Sequence, residues 1–170
     1  MLSEFFNGTF NGLLQMIFPQ KDSVHYPEHM WVFLPLLIMC LLASYTDFKE
    51  HRISKKMVSG FGVVRFLMAY WYPVSLDTIL GGFVGFILIF GFAYVLNSKH
   101  MAGDIRLSAV IGLWLGTAPM LAAWIIAFAC LILGFVVVIF VLKQRKIVPF
   151  ACCLTVGVVY ALLLPYIMGW

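Results

Sequence analysis

Trp31-Val32-Phe33-Leu34-Pro35-Leu36-Leu37-Ile38-Met39-Cys40-Leu41-Leu42-Ala43-Ser44-Tyr45-Thr46-Asp47 is an apolar run that ends on a carboxylate. It sets the pattern for the rest of the chain. Apolar runs of this kind recur at Met57 to Tyr72, Ile79 to Leu96, Ile105 to Leu115, Met120 to Leu142 and Val148 to Ile167. Short polar breaks separate them, which favours antiparallel neighbours. Arg65 interrupts the second run, and the fourth is short. The 170 residues are 64% hydrophobic and only 11% charged, with mean hydropathy +1.03. A soluble domain is about 45–50% apolar and about 25% charged. The expected fold is therefore an all-α polytopic membrane protein with about six transmembrane helices, and the length leaves no room for a second large domain.

The amino-terminal segment differs. Phe5, Phe6, Phe10, Leu13, Leu14, Ile17 and Phe18 recur at helical spacing, opposite Asn7, Asn11 and Gln15. A stretch this short cannot span, because a crossing helix needs about 20 apolar residues. Residues 1–30 are read as an amphipathic or interfacial helix and a polar loop, and residues 31–170 as the transmembrane domain. The first residues have no basic stretch of the kind that opens a cleaved signal. Cys40, Cys130, Cys152 and Cys153 all lie in apolar surroundings and form no Cys-x-x-Cys pair, so neither a zinc module nor a disulfide framework is expected. Gly81 with Gly85, and Gly112 with Gly116, have the four-residue spacing that lets membrane helices pack closely.

Charge distribution gives an orientation. Lys49, Arg52, Lys55 and Lys56 follow the first run, Lys99 follows the third with Arg106 beyond it, and Lys143, Arg145 and Lys146 follow the fifth. The loops around Pro73 to Thr78 and Thr117 to Pro119 have no Lys or Arg. Basic loops stay cytoplasmic, so both termini are expected outside a multi-pass cytoplasmic membrane. Asp47 and Asp104 then share the cytoplasmic side at similar depth.

Carboxylates against hydrocarbon are costly and are candidates for function. If folding brings two together they share a proton, and such a pair activates water without metal or covalent intermediate. Asp47 ends one apolar helix, where the macrodipole disfavours an anion, and Asp104 opens another, where it favours one. That asymmetry would leave the shared proton more often on Asp47. Gly103, before Asp104, leaves room for an extended peptide substrate to approach. His51 lies four residues after Asp47 and His100 four before Asp104, a pattern that could hold a transition metal. The lysines and arginine around His51 oppose a cation, and no metal site or cofactor is expected. Arg65 would snorkel or pair with a carboxylate, and Asp77 reads as a loop residue.

Three motifs carry a resemblance. The first is Ser44-Tyr45-Thr46-Asp47-Phe48-Lys49-Glu50-His51-Arg52-Ile53-Ser54-Lys55. The second is Met101-Ala102-Gly103-Asp104-Ile105-Arg106-Leu107, followed by Ile111-Gly112-Leu113-Trp114-Leu115-Gly116. The third is Lys146-Ile147-Val148-Pro149-Phe150-Ala151. In order and spacing the chain resembles the type IV prepilin peptidases, intramembrane aspartyl proteases of Gly-x-Gly-Asp type. Met101 stands in place of the first motif glycine, and Arg106 in place of the usual lysine. The resemblance implies Asp47 and Asp104 as catalytic residues of an aspartic endopeptidase. It implies a prepilin or pseudopilin precursor helix as partner, entering from the lipid bilayer, with its leader cut on the cytoplasmic side. The cysteine-rich module of bifunctional relatives is not seen, which implies a compact, peptidase-only form. No nucleic acid partner is expected. The alternatives are an inactive membrane scaffold of a pilus or secretion system, and a small transporter using the aspartates as a proton relay.

Overall fold

The structure is a computed structural model and describes residues 30–50, 53–95, 101–137 and 149–167. The expected amphipathic segment lies outside these residues. The described chain is all-α: α1 Leu34–Glu50, α2 Lys55–Leu67, α3 Leu76–Val95, α4 Ala102–Leu115, α5 Thr117–Val136 and α6 Phe150–Ile167. Short 3-10 turns at Met30–Phe33 and Met68–Tyr70 precede α1 and follow α2. By length and composition, three helical stretches could cross a membrane, Trp31–Glu50, Leu76–Tyr94 and Thr117–Val136. At about 1.5 Å per residue, α2 and α4 rise only part of a hydrocarbon core of about 30 Å.

Contacts between helix ends fix an up-and-down bundle. The carboxyl end of α1 meets the amino end of α6 through Asp47 and Ala151. Gly103, in the first turn of α4, lies against Ile53, just before α2. At the other end Phe33 packs edge-on against Tyr72, and the first turn of α3 reaches Thr117 through Asp77. The six helices therefore alternate, and one end of the bundle carries both Asp47 and Asp104.

Small residues decide which helices meet. A Cβ on Gly81 would lie 2.6 Å from the Gly112 carbonyl oxygen, and one on Gly85 2.5 Å from that of Ser108. The glycines at four-residue spacing thus seat α3 directly on α4. Gly157 approaches the Ala123 carbonyl in the same way, bringing α6 onto α5. Ser108 is fully buried, yet its hydroxyl donates to Gly85 O at 2.9 Å and accepts from Trp124 Nε1 at 3.2 Å. A buried hydroxyl left without partners would be costly, so this chain of bonds ties α3, α4 and α5 together.

The helix pairs close on one core. Leu36, Met39, Cys40 and Ala43 of α1 join Leu107, Ile111 and Trp114 of α4, Met120, Ala123 and Trp124 of α5, and Leu154, Val158 and Ala161 of α6. The other faces of α3 and α5 expose Phe83, Ile87, Phe90, Ile132 and Leu133. An apolar girdle of this kind suits hydrocarbon as its solvent. This is an all-α membrane protein.

Several boundaries differ from the sequence reading. The second run ends its α-helix at Leu67 and tightens into a 3-10 turn before Pro73. The segment Thr117 to Pro119 is no loop but the first turn of α5. Pro119 fits there because first-turn N–H groups have no partner within the helix. Gly116 alone joins α4 to α5, at φ +82°, a conformation that disfavours a side chain. Asp77, expected in a loop, sits in the first turn of α3 and accepts the Thr117 N–H and hydroxyl, capping α5.

Candidate active site

Asp47 lies near the carboxyl end of α1, and Asp104 occupies the first turn of α4. Both are half-buried. Both lie at the same end of the bundle, Asp47 beside Ala151 and Asp104 next to Gly103, which lies against Ile53. The helices carrying them pack on different neighbours: α1 chiefly on α6, α4 chiefly on α3 and α2. The carboxylates are therefore presented by separate elements at one end of the bundle.

Asp47 has a partner that the sequence did not announce. Its Oδ2 accepts the backbone N–H of Ala151 at 3.0 Å, at the start of α6. Asp47 thus closes α1 but faces the positive amino end of α6. The expected asymmetry set the carboxyl end of α1 at Asp47 against the amino end of α4 at Asp104, and the amino end of α6 beside Asp47 now offsets the first of these.

Behind Asp47 runs a polar seam between α1 and α6. Ser44 Oγ lies 2.7 Å from Thr155 Oγ1, and Thr155 Oγ1 donates to Ala151 O at 2.8 Å. Cys152 Sγ reaches Ser44 O at 3.7 Å. Sequence reasoning passed over Ser44 and Thr155. The available signal was spacing: Cys40, Ser44 and Asp47 share one face of α1.

Gly103 meets its own chain. A Cβ there would lie 3.0 Å from Ile53 Cβ and 3.4 Å from Ile53 O. The space it leaves is filled in this structure by the end of the α1–α2 connection. Met101 caps α4 at φ −81°, ψ 9°, and its carbonyl accepts Ile105 N–H at 3.0 Å. Any residue adopts that conformation, so methionine in place of glycine strains nothing at this position.

Lys49, Lys55, Lys56 and Arg106 are exposed around the aspartate end. At the opposite end the one described Lys or Arg, Arg65, is buried. It does not snorkel, and among the described residues it pairs with no carboxylate. Its Nε donates to Leu113 O at 2.9 Å, and its terminal nitrogens donate to Tyr72 O at 2.7 Å and Pro73 O at 3.3 Å. The guanidinium also lies 4.5 Å from the Tyr72 ring centroid and 5.6 Å from that of Trp114. Among the described residues no three of His, Cys, Asp and Glu gather as metal ligands. His51 and His100 lie outside the described residues.

The type IV leader peptidase family matches residues 34–141, well over half of the chain and including both aspartates. The chain belongs to this family. Its matched portion runs from α1 through α5, so the contact between Asp47 and α6 extends beyond it. No curated protein and no solved structure matches the chain.

Proposed function

We propose that this leader peptidase family member is an intramembrane aspartic endopeptidase. It would remove the leader of type IV pilin-like precursors at the cytoplasmic face of the cytoplasmic membrane. The observation that carries the reading is the placement of Asp47 and Asp104, from α1 and α4, at the same end of an apolar bundle.

One carboxylate of such a pair takes a proton from water as the other holds a proton toward the scissile carbonyl. Attack gives a tetrahedral diol, and return of a proton to the leaving nitrogen breaks the C–N bond. Neither step needs a metal or cofactor. The substrate is a precursor whose apolar helix lies in the bilayer beside the bundle, with its leader at the aspartate end. Gly103 lines that end and is the residue proposed to border the bound peptide. The exposed Lys49, Lys55, Lys56 and Arg106 support a cytoplasmic position for that end. With the six described helices in alternation, the start of α1 and the end of α6 then lie outside.

The test is cleavage by purified protein in liposomes, with a pilin-like precursor bearing a short leader, in the presence and absence of a chelator. The reading expects one cut before the apolar helix, at equal rates in both conditions. No cut in lipid would instead favour an inactive scaffold. Proton flux without peptide cleavage would favour a transporter.

A further inference from the structure

We propose that the amino end of α6, held in register by the Ser44–Thr155 hydroxyl pair, positions the Asp47 carboxylate for reaction, with Ser44 and Thr155 as positioning residues. The inference rests on the peptidase reading and adds a second layer to its site.

Asp47 gains from an outside support because it lies in the last turn of its own helix. Support comes from Ala151, whose N–H has no partner within α6 and donates to Oδ2 at 3.0 Å. That bond holds only while α1 and α6 keep one register. The register is set one turn away. Thr155 Oγ1 reaches Ala151 O at 2.8 Å, Ser44 Oγ at 2.7 Å and Cys40 O at 3.2 Å, and Ser44 Oγ reaches Ala151 O at 3.3 Å. The two shortest contacts are satisfied together when Ser44 donates to Thr155 and Thr155 donates to Ala151 O. Ala151 is then gripped on both sides, its carbonyl by the hydroxyl pair and its N–H by Asp47.

The chemistry is sensitive to such a grip. A slip of α6 by one residue moves Ala151 by about 1.5 Å along the axis, enough to break the bond to Asp47. Misplacement of a reacting group by about 1 Å can cost about 100-fold in rate. Thr155 does more than an ordinary helix threonine, which bonds its own i−4 carbonyl and nothing else. Here the same hydroxyl also meets a partner on the neighbouring helix. Pro149 and Phe150, which precede Ala151, place the start of α6 at this point.

The test compares wild type, Ser44→Ala, Thr155→Val and Thr155→Ser in lipid, with two readouts. The first is the infrared carboxylate band that disappears in Asp47→Asn. The second is kcat and KM for precursor cleavage, per folded molecule. Positioning predicts that Ser44→Ala and Thr155→Val shift the Asp47 band and lower kcat by up to about 100-fold, with KM unchanged. Thr155→Ser, which keeps the hydroxyl, restores both. A seam that merely fastens helices would lower the folded yield and leave band and kcat at wild-type values, which overturns the proposal. If Thr155→Val does not fold, Ser44→Ala decides alone. If even the wild type cleaves nothing, the peptidase reading fails, whereas the infrared band still decides whether the hydroxyl pair positions Asp47.

Discussion

Arg65 Nε donates to the Leu113 carbonyl at 2.9 Å, joining the last turns of α2 and α4 at the end of the bundle opposite the aspartates. Carbonyls in a helix's last turn have no partner within the helix and carry the negative end of its dipole. A guanidinium suits that position because its planar fork serves several acceptors at once. Tyr72 O and Pro73 O complete the set, and the Tyr72 and Trp114 rings lie beside the cation.

Arg65→Met should therefore destabilise strongly. Hydrogen bonds to a charged group are worth about 1.5–3 kcal/mol each, and acceptors left unmet in the interior add to the loss. Summed over the three bonds, a fall in Tm of roughly 10 °C or more follows for a domain of this size. Arg65→Lys should recover only part of it, since one ammonium cannot serve the same three carbonyls. Thermal unfolding in detergent checks both. An unchanged Tm in Arg65→Met would show that the carbonyl clamp contributes nothing.

Paired glycine substitutions should separate packing from propensity. Gly112→Ala drives a methyl into the Gly81 carbonyl and must part α3 from α4. Overpacking of this kind costs about 1–3 kcal/mol. Gly60→Ala, with nothing within 4 Å of its added carbon, should be neutral or stabilising by up to about 1 kcal/mol. Equal unfolding temperatures for the two variants would contradict the close α3–α4 seam.

Asp77→Ala should remove the cap on α5. Loss of such a cap costs about 0.5–2 kcal/mol. Because Asp77 lies at the end remote from Asp104, cleavage per folded molecule should stay at the wild-type level. A drop in kcat without a drop in Tm would contradict this placement.

Gly103 and Ile53 should show energetic coupling. An alanine methyl at 103 presses on Ile53 Cβ at 3.0 Å. Gly103→Ala should therefore slow cleavage, and Ile53→Gly, which removes that Cβ, should rescue part of the loss. A double-mutant cycle on rate measures the term. Strict additivity would mean that the contact has no part in activity.

Much of this architecture could be read from residue types. Asp47 and Asp104 stood out because ionisable groups are rare beside long apolar runs, and the alternation of basic and neutral loops put them at one end. The glycine pairs marked α3 and α4 as closely packing helices, and the structure sets them against each other. Other features were hidden because their partners are backbone groups, which every residue supplies. Arg65 suggested a carboxylate and found three carbonyls. Asp47 suggested a helix carboxyl end and found the N–H of Ala151. Thr117 to Pro119 resembled a turn by composition, yet first-turn tolerance for proline made it helix. Tertiary placement decided each of these, and no local pattern carries it.

Single-turnover cleavage of a lipid-embedded precursor by wild type, Asp47→Asn and Asp104→Asn tests the central claim most directly. Asparagine keeps the size of each side chain and removes its capacity to exchange a proton. The two-carboxylate account predicts that each variant, folded and in lipid, loses about 100- to 10 000-fold in rate. It also predicts that the double variant is little worse than either single one, because the pair acts as a unit. Wild-type cleavage by either single variant would contradict the account.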